Sequence, residues 1–133
     1  MLATAELDPS WAEVFPDWRD DVVVGTIYLL HFIDPATGEH VQFKHAGHYL
    51  GWTSNLPQRL LRHGTKSGAN LLWHARQAGI GWELARVWQG TCRREWRLKV
   101  QGGHSRKCPA CGMRMWARQR AELDRMLTIA LAA

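Results

Sequence analysis

The sequence has no long hydrophobic run: no stretch approaches the roughly 18 to 20 apolar residues that a membrane-spanning helix needs, so its 46% hydrophobic residues and eight Trp are expected to build a core. The N-terminal MLATAELDPSWAE also lacks the basic-then-apolar order of a signal peptide. A cytoplasmic location with no membrane partner is the expectation. Cysteine is scarce and odd in number, three in all. Two of them stand in Cys108-Pro109-Ala110-Cys111, which argues against a secreted disulfide framework and leaves reduced thiols or a metal site.

Acidic residues are nearly missing after residue 41. Residues 1–41 hold eight acids (Glu6, Asp8, Glu13, Asp17, Asp20, Asp21, Asp34, Glu39) against Arg19 alone, a balance of −7. Since the whole chain has 17 Lys and Arg and 12 Asp and Glu, residues 42–133 carry sixteen bases against four acids, a balance of +12. A surface of that sign attracts polyanions through counterion release, and nucleic acid is the natural partner. The acidic arm either covers a basic groove or keeps the chain soluble.

At 133 residues the length fits one domain of ordinary size. After the acidic lead-in, with a short helix expected from Ser10 to Val14, the run from Val22 to Ile33 is rich in β-branched and aromatic residues and reads as a strand. Tyr28, Leu30 and Phe32 share one of its faces. Asp34 to Gly38 is a turn by composition, and the chain doubles back through His40 to Phe43 into a second strand at Tyr49 to Thr53. Alternation there puts Tyr49, Gly51 and Thr53 on an open face and Leu50 and Trp52 on an apolar one.

The stretch from His48 to His63 then runs into a well-marked helix, with Asn55 as N-cap, Pro57 in the first turn and Gln58 as capping-box partner. Leu56 and Leu60 form its inward stripe with Leu61 beside it, while Arg59 and His63, four apart, stack on another face behind a helix N-terminus that itself attracts phosphate. A basic loop from Gly64 to Gly68, a second helix from Ala69 to Ala78 stopped by Gly79, and a third strand in which Trp82, Leu84 and Trp88 alternate come next. Thr91 caps a helix from Cys92 to Gln101, on which Cys92, Trp96 and Val100 form the expected core stripe. Glu95 stands outside that stripe, an acid among Arg93, Arg94 and Arg97 that an i, i+4 pair with Lys99 would also explain.

The reading is therefore an α+β fold: a small three-stranded antiparallel sheet flanked by helices, with a C-terminal helical tail. Three segments are expected: an acidic lead-in over 1–21, a central domain over 22–107, and a Cys-Pro-Ala-Cys turn with a C-terminal helix over 108–133. In that last helix Met115, Leu123, Met126, Leu127 and Ala130 face in and Arg114, Arg118, Arg120 and Arg125 face out.

The order of these elements resembles the GIY-YIG nuclease family. Thr26-Ile27-Tyr28 stands at its first motif, Tyr49-Leu50-Gly51 at its second, followed by the specific continuation to His63, a third strand, and a helix bearing Glu95. The chain departs from the family's pattern in Thr26, in a longer connection between the two motifs, and in having no counterpart of the Asn that often follows the catalytic helix.

The resemblance implies hydrolysis of a DNA phosphodiester with one divalent metal, Mg²⁺ or Mn²⁺, held by Glu95. It gives Arg59 the charge of the pentavalent phosphate, Tyr28 or Tyr49 the orientation or deprotonation of water once nearby cations lower the phenol, and His63 a proton relay or phosphate contact. Gly51, Asn55, Arg62, Lys66 and Arg94 would contact DNA. Two alternatives stand beside it: a catalytically inactive nucleic-acid-binding module of the same fold, and a zinc-stabilised interaction domain. The Cys108 and Cys111 pair forms half of a Zn²⁺ site, to which Cys92 or His104 would add ligands.

Overall fold

A computed structural model describes residues 23–112 and 117–132. The expected helix at Ser10 to Val14, the acidic lead-in, Arg114 and Met115 lie outside the described residues. Three strands, β1 (Val24–Ile33), β2 (His48–Thr53) and β3 (Gly81–Thr91), form one antiparallel sheet in the order β2-β1-β3. The helices are α1 (Leu56–Arg62), α2 (Asn70–Gln77), α3 (Cys92–Gln101) and the C-terminal α4 (Ala117–Ala132), with two short 3₁₀ turns at His104–Lys107 and Pro109–Cys111. The fold is α+β, as expected.

Strand β1 is central because both its faces are apolar. Tyr28, Leu30 and Phe32 join Leu56, Leu72, Val87 and Leu123 in one core, while Ile27 and Leu29 join Leu50 and Cys108 in a second core on the other face. The face of β2 expected to be open is covered: Tyr49 packs into the first core, and Leu50 and Trp52 belong to the second. Residues beyond 107 thus enter both cores, through Cys108 and Leu123.

Strand β3 alternates only in part. Its pairing with β1 shifts between Leu29 and Leu30, opposite Arg86 and Leu84, so Ala85 is an extra residue and reverses the parity. Trp82 and Leu84 therefore pack on the first core, but Trp88 lands on the second.

The caps read from the sequence are formed. The Asn55 side chain accepts from the Gln58 N–H at 3.2 Å, and Thr91 accepts from the Arg94 N–H at 3.2 Å. Gly79 and Gly102 end their helices with φ of 81° and 65°, the left-handed region that glycine enters at least cost.

Two helix faces differ from expectation. Leu61 is 82% exposed, because a helix of only two turns buries little beyond Leu56 and the partly covered Leu60. On α3, Trp96 and Val100 point outward at 37% and 65% exposure, while Glu95 is buried and Leu98 packs on the second core. The acid excluded from the expected stripe is the one residue of that helix taken fully inside.

Candidate functional site

Tyr28 and Gly51 are direct partners across β1 and β2, as are Leu30 and Tyr49. Both tyrosines therefore stand on the same sheet face, with ring centroids 6.2 Å apart. Gly51 is the reason Tyr28 fits: a Cβ there would lie 2.5 Å from the Tyr28 Cζ and hydroxyl oxygen. Gly51 thus makes room for a ring.

Helix α1 adds two groups. His63 caps its C-terminus, is 1% exposed rather than on a solvent face, and lies with Nε2 2.5 Å from the Tyr28 hydroxyl. Its ring sits 5.5 Å from that of Tyr28 and 5.4 Å from that of Tyr49. Burial and then the Arg59 charge push His63 down to about 4, so the imidazole is neutral at physiological pH. Its Nδ1 is buried without a hydrogen-bond partner among the described residues.

Arg59 acts on both tyrosines. Burial opposes its charge, yet its interactions with Tyr28 and Tyr49 leave its pKa raised. For Tyr28 the balance goes against the sequence expectation. Burial, then Tyr49, raise the phenol by more than Arg59 lowers it, so the net shift is upward. A cation beside a phenol does not outweigh the removal of the phenolate from water.

Glu95 reaches this cluster through Lys99. Lys99 Nζ is 2.8 Å from Glu95 Oε1 and 5.7 Å from the centroid of the Tyr49 ring. The contact is one of charge without aligned donor geometry, because Oε1 is buried and has no hydrogen-bond partner among the described residues. Tyr28, Tyr49, Arg59 and His63, drawn from three elements, thus form one group, and Lys99 stands between that group and Glu95.

The residues expected at DNA lie around it or away from it. Arg62, the last residue of α1, and Lys66 in the loop after it are exposed, with Lys66 Nζ 5.7 Å from the Trp73 ring centroid. Asn55 is occupied as the cap. Arg94 lines two adjoining grooves. One, of about 620 Å³, runs between β3 and α4 beside Arg86, Trp88 and Arg118; the other is bordered by Arg93, Arg97 and Gln101. None of Tyr28, Tyr49, Arg59, His63 and Glu95 lines either groove.

A second polar cluster was only half legible in the sequence. His31 and His48 are direct partners across β1 and β2, on the sheet face of Leu29 and Leu50 and so opposite the tyrosines. Cys108 and Cys111 approach them from the 3₁₀ turns, and one ligand atom from each of the four lies within 4.8 Å of the others. The partners expected for the cysteines were Cys92 and His104; neither belongs to the group, which takes its imidazoles from the sheet. The missed signal was one His two residues before the end of β1 and one opening β2, unreadable without the strand register. Burial pushes the Cys108 thiol up to about 11 and, with the neighbouring imidazoles, lowers His48 to about 4.

Among the described residues no helix is long and apolar enough to cross a membrane. Comparison of the chain with known protein families, curated proteins and solved structures finds no match.

Proposed function

We propose that the chain is a metal-dependent nuclease that hydrolyses DNA phosphodiester bonds in the manner of the GIY-YIG family. The observation that supports this reading is the meeting of Tyr28, Tyr49, Arg59 and His63 on one sheet face, with Glu95 linked to the Tyr49 ring through Lys99. A neutral buried His, a buried carboxylate oxygen without a hydrogen bond and a guanidinium between two phenols are costly in a core. Costs of this kind gather at functional sites.

Glu95 fits the family's Mg²⁺ or Mn²⁺, ions that take one or two protein carboxylates and complete their shell with water and phosphate oxygens. When bound, such an ion supplies Lewis-acid charge at the phosphate. Lys99 holds that carboxylate in place and must give way to it.

The remaining chemistry belongs to the chain. Tyr28 is fully buried, whereas Tyr49 is only partly covered, so Tyr49 is the phenol that meets the attacking water. The raised pKa of Tyr28 suits that phenol to a relay rather than a base. The water proton passes to the Tyr49 oxygen, the Tyr49 proton to Tyr28, and the Tyr28 proton to His63 Nε2, which as a weak base holds it only in passing and returns it along the same path to solvent once the product has left. The water oxygen bonds to phosphorus as the bond to O3′ breaks, and the leaving oxygen takes a proton from solvent. Arg59 donates to the pentavalent phosphate, where an oriented planar cation gains most. The Arg94 grooves and the exposed Arg62 and Lys66 supply phosphate contacts to the duplex.

A second reading, a DNA-binding module without cleavage, is favoured by the Lys99 charge already seated on Glu95. Supercoiled plasmid separates the two. Incubated with the full chain and Mg²⁺, it is nicked by the wild type, is untouched in EDTA and is untouched by Glu95→Ala, which still binds DNA in fluorescence anisotropy. Nicking by Glu95→Ala at the wild-type rate would refute the assignment, and binding without nicking by the wild type would establish the second reading.

A further inference from the structure

We infer that His31, His48, Cys108 and Cys111 form a tetrahedral zinc site that clasps the turn after α3 to the far face of the sheet. The inference rests on no part of the nuclease reading. Four tetrahedral bonds, about 2.3 Å to sulfur and 2.0 to 2.1 Å to nitrogen, place neighbouring ligand atoms about 3.3 to 3.8 Å apart. The structure gives 3.3 Å between His31 Nδ1 and His48 Nε2, 3.4 Å from His31 Nδ1 to each of the Cys108 and Cys111 sulfurs, and 3.3 Å from Cys111 Sγ to His48 Nε2. Four of the six edges of such a tetrahedron are thus near their metal-bound lengths, and all four ligand atoms lie within 4.8 Å of one another.

Two thiolates with two imidazoles select zinc over the hard cations, which want carboxylate and carbonyl oxygen. All four positions are filled by protein, the mark of a structural rather than a catalytic zinc. The setting fits as well. The Cys111 N–H bonds to the Cys108 carbonyl at 3.1 Å and the Gly112 N–H to the Pro109 carbonyl at 3.1 Å, a tight turn that holds both sulfurs on one side. His40 stacks on His31 with centroids 4.1 Å apart, while its own Nδ1 is engaged by the Phe32 carbonyl at 2.8 Å. It therefore orients a ligand ring from outside the set.

The site also answers a structural need. Between Gln101 and α4 the described residues form two 3₁₀ turns, pieces too short to hold themselves. Among the described residues of this segment, Cys108 is the one in the core. The hydrogen bonds from Lys107 Nζ to the Gly102 and Leu98 carbonyls and from Arg86 to the Lys107 carbonyl tie the segment at its near end only. A metal bridging Cys108 and Cys111 to two neighbouring strands fixes the far end, before α4 begins.

The test uses the full chain purified without chelator. Elemental analysis should find about one zinc per chain, and replacement by Co²⁺ should give the intense visible bands of a tetrahedral site with sulfur-to-cobalt charge transfer. His48→Ala and Cys111→Ser, both at the rim of the cluster, should each lower zinc content to below about half and change the cobalt spectrum, since a structural site tolerates no missing ligand. Folded wild-type protein with little zinc and the weak pink spectrum of octahedral cobalt would overturn the inference. So would a Cys108–Cys111 disulfide in the intact mass, or a His48→Ala variant with the zinc content and cobalt spectrum of the wild type.

Discussion

Replacing Gly51 by alanine adds one methyl group where the Tyr28 ring and hydroxyl stand 2.5 Å away. The Gly51 backbone does not have a positive φ, so alanine meets no conformational barrier. By restricting the unfolded chain it would stabilise by about 0.4 to 1 kcal/mol if there were room. There is none. Tyr28 is fully buried and its hydroxyl is fixed on His63 Nε2 at 2.5 Å, so the ring has nowhere to yield without breaking that contact. Overpacking of this kind costs about 1 to 3 kcal/mol. At about 2.1 cal/mol/K of unfolding entropy per residue, a 133-residue chain loses about 3.6 °C of Tm per kcal/mol. The expected fall is therefore roughly 4 to 11 °C by calorimetry. Adding Tyr28→Phe removes the hydroxyl that the new Cβ meets, so the double variant should lose less than the two single losses combined. A Gly51→Ala protein as stable as the wild type, or strict additivity in the cycle, would refute the account of why glycine stands there.

The remaining predictions concern titration and charge. His63, held down at about 4 against an ordinary value of 6.5, is faced by Tyr28, Tyr49 and Arg59. The unfolded chain binds the extra proton first, so its contribution to stability is complete above about pH 6.5 and is lost as the pH falls toward 4. His63→Gln should flatten the urea-unfolding stability profile in that window by up to about 1.4 kcal/mol per pH unit. Equal slopes for variant and wild type would show that His63 titrates normally. Lys99→Met removes the cation at 2.8 Å from Glu95 Oε1 and keeps most of the stem over Tyr49. Mn²⁺ binding, followed by electron paramagnetic resonance, should tighten several-fold, and unchanged or weaker binding would show that Lys99 does not compete for the carboxylate.

The elements of this fold are local events, and the sequence determines them. Asn55 and Thr91 start helices because their side chains reach an N–H three residues on, and Gly79 and Gly102 stop helices because they enter left-handed backbone. Alternation in β1 likewise assigns Tyr28, Leu30 and Phe32 to one face without any knowledge of partners. The candidate catalytic residues were named from a resemblance of motifs in their order along the chain, likewise a signal read within short stretches. What they meet was not legible. Register set Tyr28 against Gly51, burial reversed the expected direction of the Tyr28 phenol, and one extra residue at Ala85 moved Trp88 to the opposite face. The metal cluster shows the division most clearly. The spacing of Cys108 and Cys111 makes a turn by itself, but the imidazoles beside it come from positions 77 and 63 residues distant in the chain. Only strand pairing brings His31 next to His48, and only packing of the segment after α3 on the second core brings the cysteines to them. A spacing rule acts within a few residues, whereas register and burial are properties of the folded whole.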